Sequence, residues 1–291
     1  MRYTINQFNQ KFPTEKACLD FVFEQRYGDM LACPKCGVAE PRYYKVNNRK
    51  CYECKDCGNQ IHPLANTIFH KSETPLKSWL FAIYLFSVAK NGVSAKELER
   101  HLGVTYKTAW RIAKHVRMLM QQGGDMLSGI IEADETYIGG KSRMDEKYKN
   151  KTAVVGIVEK KDGGQVKAFT TKHADATVTL PFIKSNIEAG STLHTDESRI
   201  YSRVKRDFTH EFINHSKFEY ARAGVHTNNI EGFWGQLKRS IDGTYHSVSP
   251  KYLQSYVNEF VFRYNLRNVP IYPALLALAV QPLKQVPQKS L

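Results

Sequence analysis

The sequence predicts a mixed α+β protein, in which an N-terminal helix, a zinc ribbon and a helix-turn-helix precede an α/β domain with a mixed sheet. Two CxxC pairs lie near the N terminus, and apolar residues then recur at helical spacing up to about residue 120. Beyond a Gly-containing linker at 121–125, short apolar runs have the spacing of strands. The predicted domains are 1–70 (helix and ribbon), 71–122 (helix-turn-helix region), 126–275 (α/β domain) and 276–291 (tail).

The composition points to a polyanionic partner. The chain has 42 Lys and Arg against 28 Asp and Glu, a formal net charge of +14. Such a surplus is typical of nucleic-acid binding, because cations that neutralise phosphates release condensed counterions; a merely solvated basic surface is the alternative. The polar N terminus does not resemble a signal peptide, and the apolar stretch 79–89 is too short for a bilayer. We expect a soluble, cytoplasmic protein with no membrane partner.

The zinc ribbon is predicted from cysteine spacing. Each of two CxxC pairs is followed by a glycine, Gly37 or Gly58, so each offers two sulfurs from a tight turn. Cys51 also makes a CxxC with Cys54, but the matching glycines favour the later pair and leave Cys51 as a spare thiol. Four sulfurs leave no open position for a substrate, so one structural Zn²⁺ is expected. Its predicted ligands are Cys33, Cys36, Cys54 and Cys57.

A helix is predicted from Thr14, and an aromatic helix after Pro75. Two shorter helices separated by Gly103 follow, the second starting after Thr105, which is the spacing of a helix-turn-helix. A generic helical hairpin with a solvated basic face is the alternative. The second helix carries four basic residues that suit a recognition helix facing DNA, namely Lys107, Arg111, Lys114 and Arg117.

The α/β domain begins with predicted strands at 129–133, 152–158 and 166–171, the last two joined by a turn around Gly163 and Gly164. A basic stretch at 141–151 is expected to be an exposed loop that can contact DNA. A helix at about 175–188 and a strand at 192–195 follow. The order of strands, then helix, then strand indicates a mixed α/β domain.

Three acids in this domain have settings suited to phosphoryl transfer. Asp134 and Asp196 each follow a short apolar strand, so both are interpreted as strand-end carboxylates. Glu231 lies on a predicted helix whose buried stripe contains Ile230, Trp234, Leu237 and Ile241, and it shares a second face with Lys238. Two Mg²⁺ ions bound by carboxylates can clamp the attacking and leaving oxygens of a displacement at phosphorus. Taken singly, each acid is more often a solvated surface residue.

The chain resembles the DDE transposases of bacterial insertion sequences, in the subgroup with an N-terminal zinc ribbon. The resemblance rests on CPKCG with CKDCG, ANTIFHKSETPLKSW, IEADETYIGGK, HTD, HTNNIEGFWGQLKR and FVFRYNLRN, and so covers nearly the whole chain. It implies a ribonuclease-H-like catalytic core with Asp134, Asp196 and Glu231 as the acid triad and Lys238 as its basic partner. It also implies two Mg²⁺ or Mn²⁺ ions, and a homodimer or higher oligomer that binds terminal inverted repeats and target DNA, with Arg239 also facing DNA.

Some assignments stay open at this level. Asn228 or Asn229 could share the metal site, since some related enzymes use Asn as a third ligand, and Glu135 could replace or assist Asp134. Trp234 is interpreted as a core anchor, with stacking on a flipped base as the alternative. Two other functions compete with transposition: a zinc-ribbon DNA-binding regulator with an inactive core, and a nuclease that cuts without strand transfer.

Overall fold

The computed structural model describes residues 3–121, 123–140, 150–201, 204–213 and 225–283. The chain divides into two compact units. The first comprises Met1–Lys90, Ala95–Leu119 and Pro270–Leu291, and the second Asn91–Ser94 and Met120–Val269. Most of the predicted basic loop at 141–151 lies outside the described residues. No helix among the described residues is long and apolar enough to cross a membrane.

The first unit contains a small antiparallel sheet and several helices. The sheet has the order β1-β2-β3, with β1 (Tyr43–Lys45), β2 (Tyr52–Cys54) and β3 (Gln60–Ile61). Its helices are α1 (Ile5–Lys11), α2 (Glu15–Tyr27), α3 (Leu76–Val88), α4 (Ala95–Leu102), α5 (Tyr106–Leu119) and the C-terminal α9 (Ile271–Val280). The Thr14 side chain accepts a hydrogen bond from the Ala17 amide at the start of α2, as expected of an N-cap.

The helices of this unit share a common apolar core. Trp79, Leu80 and Phe86 of α3 are fully buried, and α9 packs on α3, α2 and α5. The predicted domain boundary at 275 differs from this division, because α9 runs across it and buries Leu275 and Leu276 in the first unit. Between α4 and α5, Gly103 has φ +63°, the left-handed conformation that a side chain would disfavour.

The second unit contains a five-stranded sheet with the order β6-β5-β4-β7-β8. The strand β5 pairs antiparallel with both β6 and β4, while β4, β7 and β8 are parallel. The elements are β4 (Ile130–Gly139), β5 (Lys151–Glu159), β6 (Val166–Thr171), α6 (Ala176–Asn186), β7 (Thr192–Thr195), β8 (Thr209–Phe212), α7 (Asn228–Ser240) and α8 (Pro250–Asn265). The predicted fold class, a zinc ribbon with helices followed by a ribonuclease-H-like mixed sheet, is confirmed.

Two apolar cores sandwich this sheet, because residues of a strand point alternately to its two faces. On one face, Ile131 and Ala133 of β4 pack with Ile183 of α6. On the other, Val154 of β5 packs with residues of α7 and α8, including Trp234 and Phe260. The second face therefore holds α7, the helix that carries Glu231, against the centre of the sheet.

Candidate active site and metal centre

The four predicted zinc ligands come together in the first unit. The described residues contain one group of at least three His, Cys, Asp or Glu side chains whose ligand atoms all lie within 4.8 Å of one another. Its members are Cys33, Cys36, Cys54 and Cys57. Four converging sulfurs are the donor set of a tetrahedral structural Zn²⁺ site, so these residues fit the predicted ion.

Both halves of this cluster are built in the same way. The Gly37 amide donates to the Cys33 carbonyl over 2.9 Å, and the Gly58 amide donates to the Cys54 carbonyl over 3.0 Å. The two glycines have φ +71° and +69°, which allows each chain to turn tightly. Cys51 is buried outside the cluster. The preference for Cys54 with Cys57 over Cys51 with Cys54 is therefore confirmed.

Asp134 and Asp196 are placed side by side by the register of two parallel strands. Glu132 of β4 lies opposite His194 of β7. Asp134 and Asp196 are each two residues further along in the same direction, at the point where β7 ends. Neighbouring strands are about 4.8 Å apart, so the two carboxylates share one edge of the site.

Asp134 itself is not at a strand end, which corrects the sequence-based interpretation. The strand β4 continues through Asp134 to Gly139, because β5 pairs with it antiparallel from Ile131 to Gly139. Only β7 is short and leaves Asp196 at its end. Asp134 is therefore supported by β5 on one side and open toward Asp196 on the other.

The carboxylates of this site repel one another. Burial, followed by the charges of Glu135 and Asp196, raises the pKa of Asp134 to about 7. Burial also raises the pKa of Glu135. A hydrogen bond from the Tyr201 hydroxyl opposes this rise, and the charge of Asp196 adds to it. A divalent cation would offset this repulsion, so the pair of aspartates fits the Mg²⁺ or Mn²⁺ that the fold implies.

Trp234 of α7 holds one oxygen of Asp134. Its indole Nε1 donates to Asp134 Oδ2 over 3.0 Å, and only 4% of the residue is exposed. Trp234 is thus the core residue that the sequence predicted, but the sequence did not predict its bond to the carboxylate. The spacing gave a usable signal, because Trp234 lies three residues after Glu231 and hence beside it on the helix.

Gly156 makes room for this indole. It lies directly opposite Asp134 in the β4–β5 pair, and a Cβ built there would be 2.6 Å from Trp234 Cη2. The Trp234 and Ile230 side chains next to Gly156 are both buried, so neither can move aside for a Cβ without disturbing the core.

We predict that Gly156→Ala displaces the Trp234 indole from Asp134. The overpacking should cost about 1–3 kcal/mol, seen as a lower midpoint of thermal unfolding. The matched control is Gly232→Ala on the exposed side of α7, where a Cβ would meet nothing within 4 Å. This change should be neutral or slightly stabilising. Equal stability of the two variants would contradict the close packing described here.

Glu231 lies on the exposed side of α7, as does Lys238 two turns later, while Ile230, Trp234 and Leu237 are buried. The predicted two-faced helix is confirmed. The Glu231 Oε1 accepts a hydrogen bond from the Thr227 hydroxyl over 2.7 Å. Among the described residues, the cysteine cluster is the one group of three or more possible ligands whose ligand atoms all lie within 4.8 Å of one another. The carboxylates of Glu231, Asp134 and Asp196 therefore do not form such a group in this structure.

The alternative ligands have other partners. The Asn229 side-chain amide donates to Glu132 Oε1 over 2.8 Å, and Glu135 Oε2 accepts from the Tyr201 hydroxyl over 2.8 Å. Asn228 is exposed at the first position of α7. Glu132, fully buried between apolar neighbours of β4, was missed by sequence reasoning, although an acid flanked by Ile131 and Ala133 was a visible signal.

The predicted DNA-facing residues of α5 differ in their surroundings. Lys107 is exposed. The Arg111 guanidinium donates to the hydroxyls of Ser72 (3.4 Å) and Thr74 (3.2 Å). Lys114 is half-buried, with its ammonium 5.8 Å from the centre of the Trp110 ring. On α7, Arg239 is exposed beside Lys238.

Arg117 corrects the prediction of a DNA contact. It is only 3% exposed, and its guanidinium lies over the Phe86 ring at 5.3 Å from the ring centre. The physical reason is helical spacing, because Arg117 follows Ala113 by four residues and so shares the apolar face of α5. In this structure Arg117 packs the first unit rather than facing solvent.

We predict that alanine substitutions at two basic residues of α5 differ in their effect on stability. Arg117→Ala should lower the free energy of unfolding by about 1–3 kcal/mol, because it removes a buried side chain and its cation–π contact. Lys107→Ala should leave stability within about 0.5 kcal/mol of wild type, because the residue is exposed. Denaturant unfolding measures both changes, and a stable Arg117→Ala protein would refute the packing role.

The fold and these two centres define a class: proteins that join a four-cysteine ribbon to a ribonuclease-H-like sheet carrying paired carboxylates. Residues 126–265 match the family described as "ISXO2-like transposase domain", and residues 13–60 match the "Transposase zinc-ribbon domain". Both matches are to domains of insertion-sequence transposases, so the chain is similar to proteins that combine these two domains. The resemblance stated from the sequence motifs is confirmed at this level.

One relative aligns over nearly the whole chain. It is an "Uncharacterized protein in transposable element ISH50" of Halobacterium salinarum, 25% identical over 285 residues, which is 91% of this chain and 95% of the relative. A solved structure, the cryo-EM structure of the simian T-cell lymphotropic virus intasome in complex with PP2A regulatory subunit B56 gamma, is 14% identical. That match covers 67% of this chain and 63% of the other, with a TM-score of 0.25.

Proposed function

We propose that this transposase binds the terminal inverted repeats of an insertion sequence and catalyses metal-dependent phosphodiester cleavage and strand transfer. The single observation that carries the proposal is the Asp134–Asp196 pair, which the adjacent parallel strands β4 and β7 place side by side where β7 ends. Burial of Asp134 and its repulsion by the Asp196 charge raise the energy of the ionised site, and such arrangements cluster at functional sites. The relative found in a transposable element supports the same function.

In this proposal the metal ligands are Asp134, Asp196 and Glu231. Two Mg²⁺ or Mn²⁺ ions, when bound, would supply charge stabilisation for the attacking and leaving oxygens at phosphorus. Glu231 has to release the Thr227 hydroxyl and turn toward the aspartates, which a rotation of its side chain allows because it lies on the exposed face of α7. Lys238, on the same face, would hold a backbone phosphate as a point charge.

The other residues of the site prepare the aspartates. The Trp234 indole donates to Asp134 Oδ2 and so fixes the orientation of this carboxylate. Because the pKa of Asp134 is about 7, a proton is held on this carboxyl in a substantial fraction of the molecules near neutrality and has to leave when a cation binds. We expect metal binding to release protons for this reason.

The reaction consists of two displacements at phosphorus. In the first, a water oxygen attacks the phosphodiester at the element's end, the bond to the 3′ oxygen breaks, and a 3′-hydroxyl is released. In the second, that hydroxyl oxygen loses its proton and attacks a phosphodiester of the target DNA, forming a new phosphorus–oxygen bond while the target's own 3′ oxygen leaves. No bond to the protein forms at either step.

DNA binding is assigned to the first unit and to the site's own basic residues. Lys107, Arg111 and Lys114 of α5 and Arg239 of α7 are the proposed phosphate or base contacts, and the net charge of +14 favours a polyanion. Joining two element ends in one reaction needs two sites, so a homodimer or higher oligomer on DNA is proposed. Such a protein is expected in the cytoplasm, where its DNA substrate is.

The test uses labelled duplexes taken from the DNA that flanks the gene, together with a supercoiled plasmid and Mg²⁺ or Mn²⁺. Label joined to the plasmid supports transposition. Cleaved duplex without joining would replace strand transfer by nuclease activity, and binding without cleavage would replace the enzyme by a DNA-binding regulator. Glu231→Gln keeps the size of the side chain and serves as the inactive comparison. It should abolish both the cleaved duplex and the joined plasmid product while sparing DNA binding.

A further inference from the structure

A buried carboxylate connects the strand of Asp134 to the helix of Glu231. Glu132 is 0% exposed, and its two oxygens have four hydrogen-bonding neighbours. Oε2 accepts from the backbone amides of Asn229 (2.8 Å) and Ile230 (3.1 Å). Oε1 accepts from the Asn229 side-chain amide at 2.8 Å and lies 3.1 Å from His226 Nδ1. All four neighbours come from residues 226–230, immediately before Glu231.

The start of α7 depends on this carboxylate. The first amides of a helix have no partner within the helix and are commonly satisfied by the side chain of the N-cap residue. Here Thr227, the N-cap residue, makes no such bond, and its hydroxyl instead donates to Glu231. Glu132 takes over the capping from a strand 97 residues earlier in the chain. Its negative charge also interacts favourably with the positive end of the helix dipole.

His226 completes the set of donors. Its Nδ1 lies 3.1 Å from Glu132 Oε1 and 3.4 Å from the Asn228 amide nitrogen. One ring nitrogen cannot donate and accept at once, so the shorter contact to a carboxylate assigns the proton to Nδ1. Both oxygens of Glu132 are then fully used, which is the condition under which a buried carboxylate is tolerated.

We propose that Glu132 is a positioning residue, which fixes the first turn of α7 and thereby sets Glu231 at the correct distance from Asp134. Glu132 and Asp134 are two residues apart on β4 and point to the same face of the sheet. Each is bonded to α7, Glu132 at its first turn and Asp134 to Trp234 one turn later. The proposal rests on the proposed function, because it gives Glu231 its role as a metal ligand.

The test compares Glu132→Gln with a matched control, Glu159→Gln. Glu159 is also a buried carboxylate of this sheet (6% exposed) and also accepts two backbone amides, those of Ser128 (3.2 Å) and Gln165 (3.0 Å). It makes no described bond to α7. Gln has the same size as Glu, but an NH2 group replaces one of the two carboxylate oxygens. In Glu132→Gln, the two donors that contact that oxygen therefore lose their acceptor.

Two measurements are made on the full-length variants: hydrogen exchange of the amides in residues 226–233, and DNA cleavage as a function of Mn²⁺ concentration. Glu132→Gln should speed exchange in the first turn of α7 at least about tenfold and raise the Mn²⁺ concentration for half-maximal cleavage by a similar factor. Glu159→Gln should change neither. Asn229→Ala, which removes one of the four donors, should give the same changes in smaller measure.

The outcomes separate this inference from the function on which it rests. Unchanged exchange in Glu132→Gln, or a loss of activity with an unchanged half-maximal Mn²⁺ concentration, would overturn the positioning role and leave the transposase intact. A wild-type protein that cleaves no DNA with either metal would overturn the proposed function instead. If Glu132→Gln fails to fold, Asn229→Ala decides by the same two measurements.

Discussion

Asp134→Asn is expected to reduce cleavage and strand transfer about a thousandfold or more without unfolding the protein. A neutral amide keeps the size of the carboxylate and can still accept the Trp234 hydrogen bond through its oxygen. It loses the charge on which the proposed metal site depends, and a bound metal contributes several kcal/mol to such a reaction. The measurement is product formation per unit time on the labelled end duplexes, with DNA binding determined in parallel.

The same variant should be more stable than wild type at neutral pH in Mg²⁺-free buffer. The folded pKa of Asp134, about 7, lies above its ordinary value near 4, so the folded protein holds this proton more tightly than the unfolded chain. Wild type therefore loses stability as the pH rises from about 4 to 7, by up to about 4 kcal/mol, whereas Asp134→Asn does not. The difference in unfolding midpoint should widen over that range and level off above it.

A matched control for both results is Asp175→Asn. Asp175 caps the exposed start of α6 by accepting from the amides of Thr177 and Val178, and the Thr177 hydroxyl, followed by these amides, lowers the pKa of Asp175. Because Asn is an equally good cap, this variant should keep its activity and show no comparable gain in stability with rising pH. An active Asp134→Asn protein, or a stability difference independent of pH, would count against the role of Asp134.

Loss of the structural zinc is the second large effect that we expect. Cys36→Ser should lower bound zinc from one ion per chain to almost none, and the ribbon should unfold. Structural zinc contributes about 10–16 kcal/mol in small zinc-finger peptides, and strands as short as β1, β2 and β3 do not form a stable sheet alone. Since Cys36 is exposed, its substitution removes a metal ligand without removing buried packing. Elemental analysis measures the zinc, and hydrogen exchange of residues 33–61 measures the folding.

Cys51→Ser is the corresponding control, because Cys51 could have been a ligand by spacing but lies outside the cluster. It should retain one zinc ion per chain, with only the modest loss of stability expected for a buried thiol. If Cys51→Ser released the metal and Cys36→Ser kept it, the ligand set would be wrong.

The features that the sequence predicted correctly are local ones. The zinc cluster follows from two CxxC pairs with a glycine after each, and the glycines adopt the left-handed conformation that such turns need. The two faces of α7 follow from helical spacing around Glu231. In both cases a few neighbouring residues determine the geometry, so no knowledge of distant partners was required.

The features that the sequence did not predict depend on distant segments. The length of β4 is determined by its pairing with β5, which is why Asp134 was placed at a strand end. The bonds of Glu132 and Trp234 join residues 97 to 100 positions apart. Arg117 was misplaced for a different reason: its spacing from Ala113 was visible, but the helix-turn-helix interpretation favoured a DNA contact for every basic residue of α5.

The position of α9 has a consequence for protein synthesis. This helix packs on α3 and buries Leu275 and Leu276 in the first unit, yet the ribosome makes it after the whole second unit. The apolar surface of α3 that α9 covers stays unprotected until the ribosome has made residues 271–280. Interrupted translation would therefore yield chains that carry the ribbon without α9, and we expect such chains to be prone to degradation.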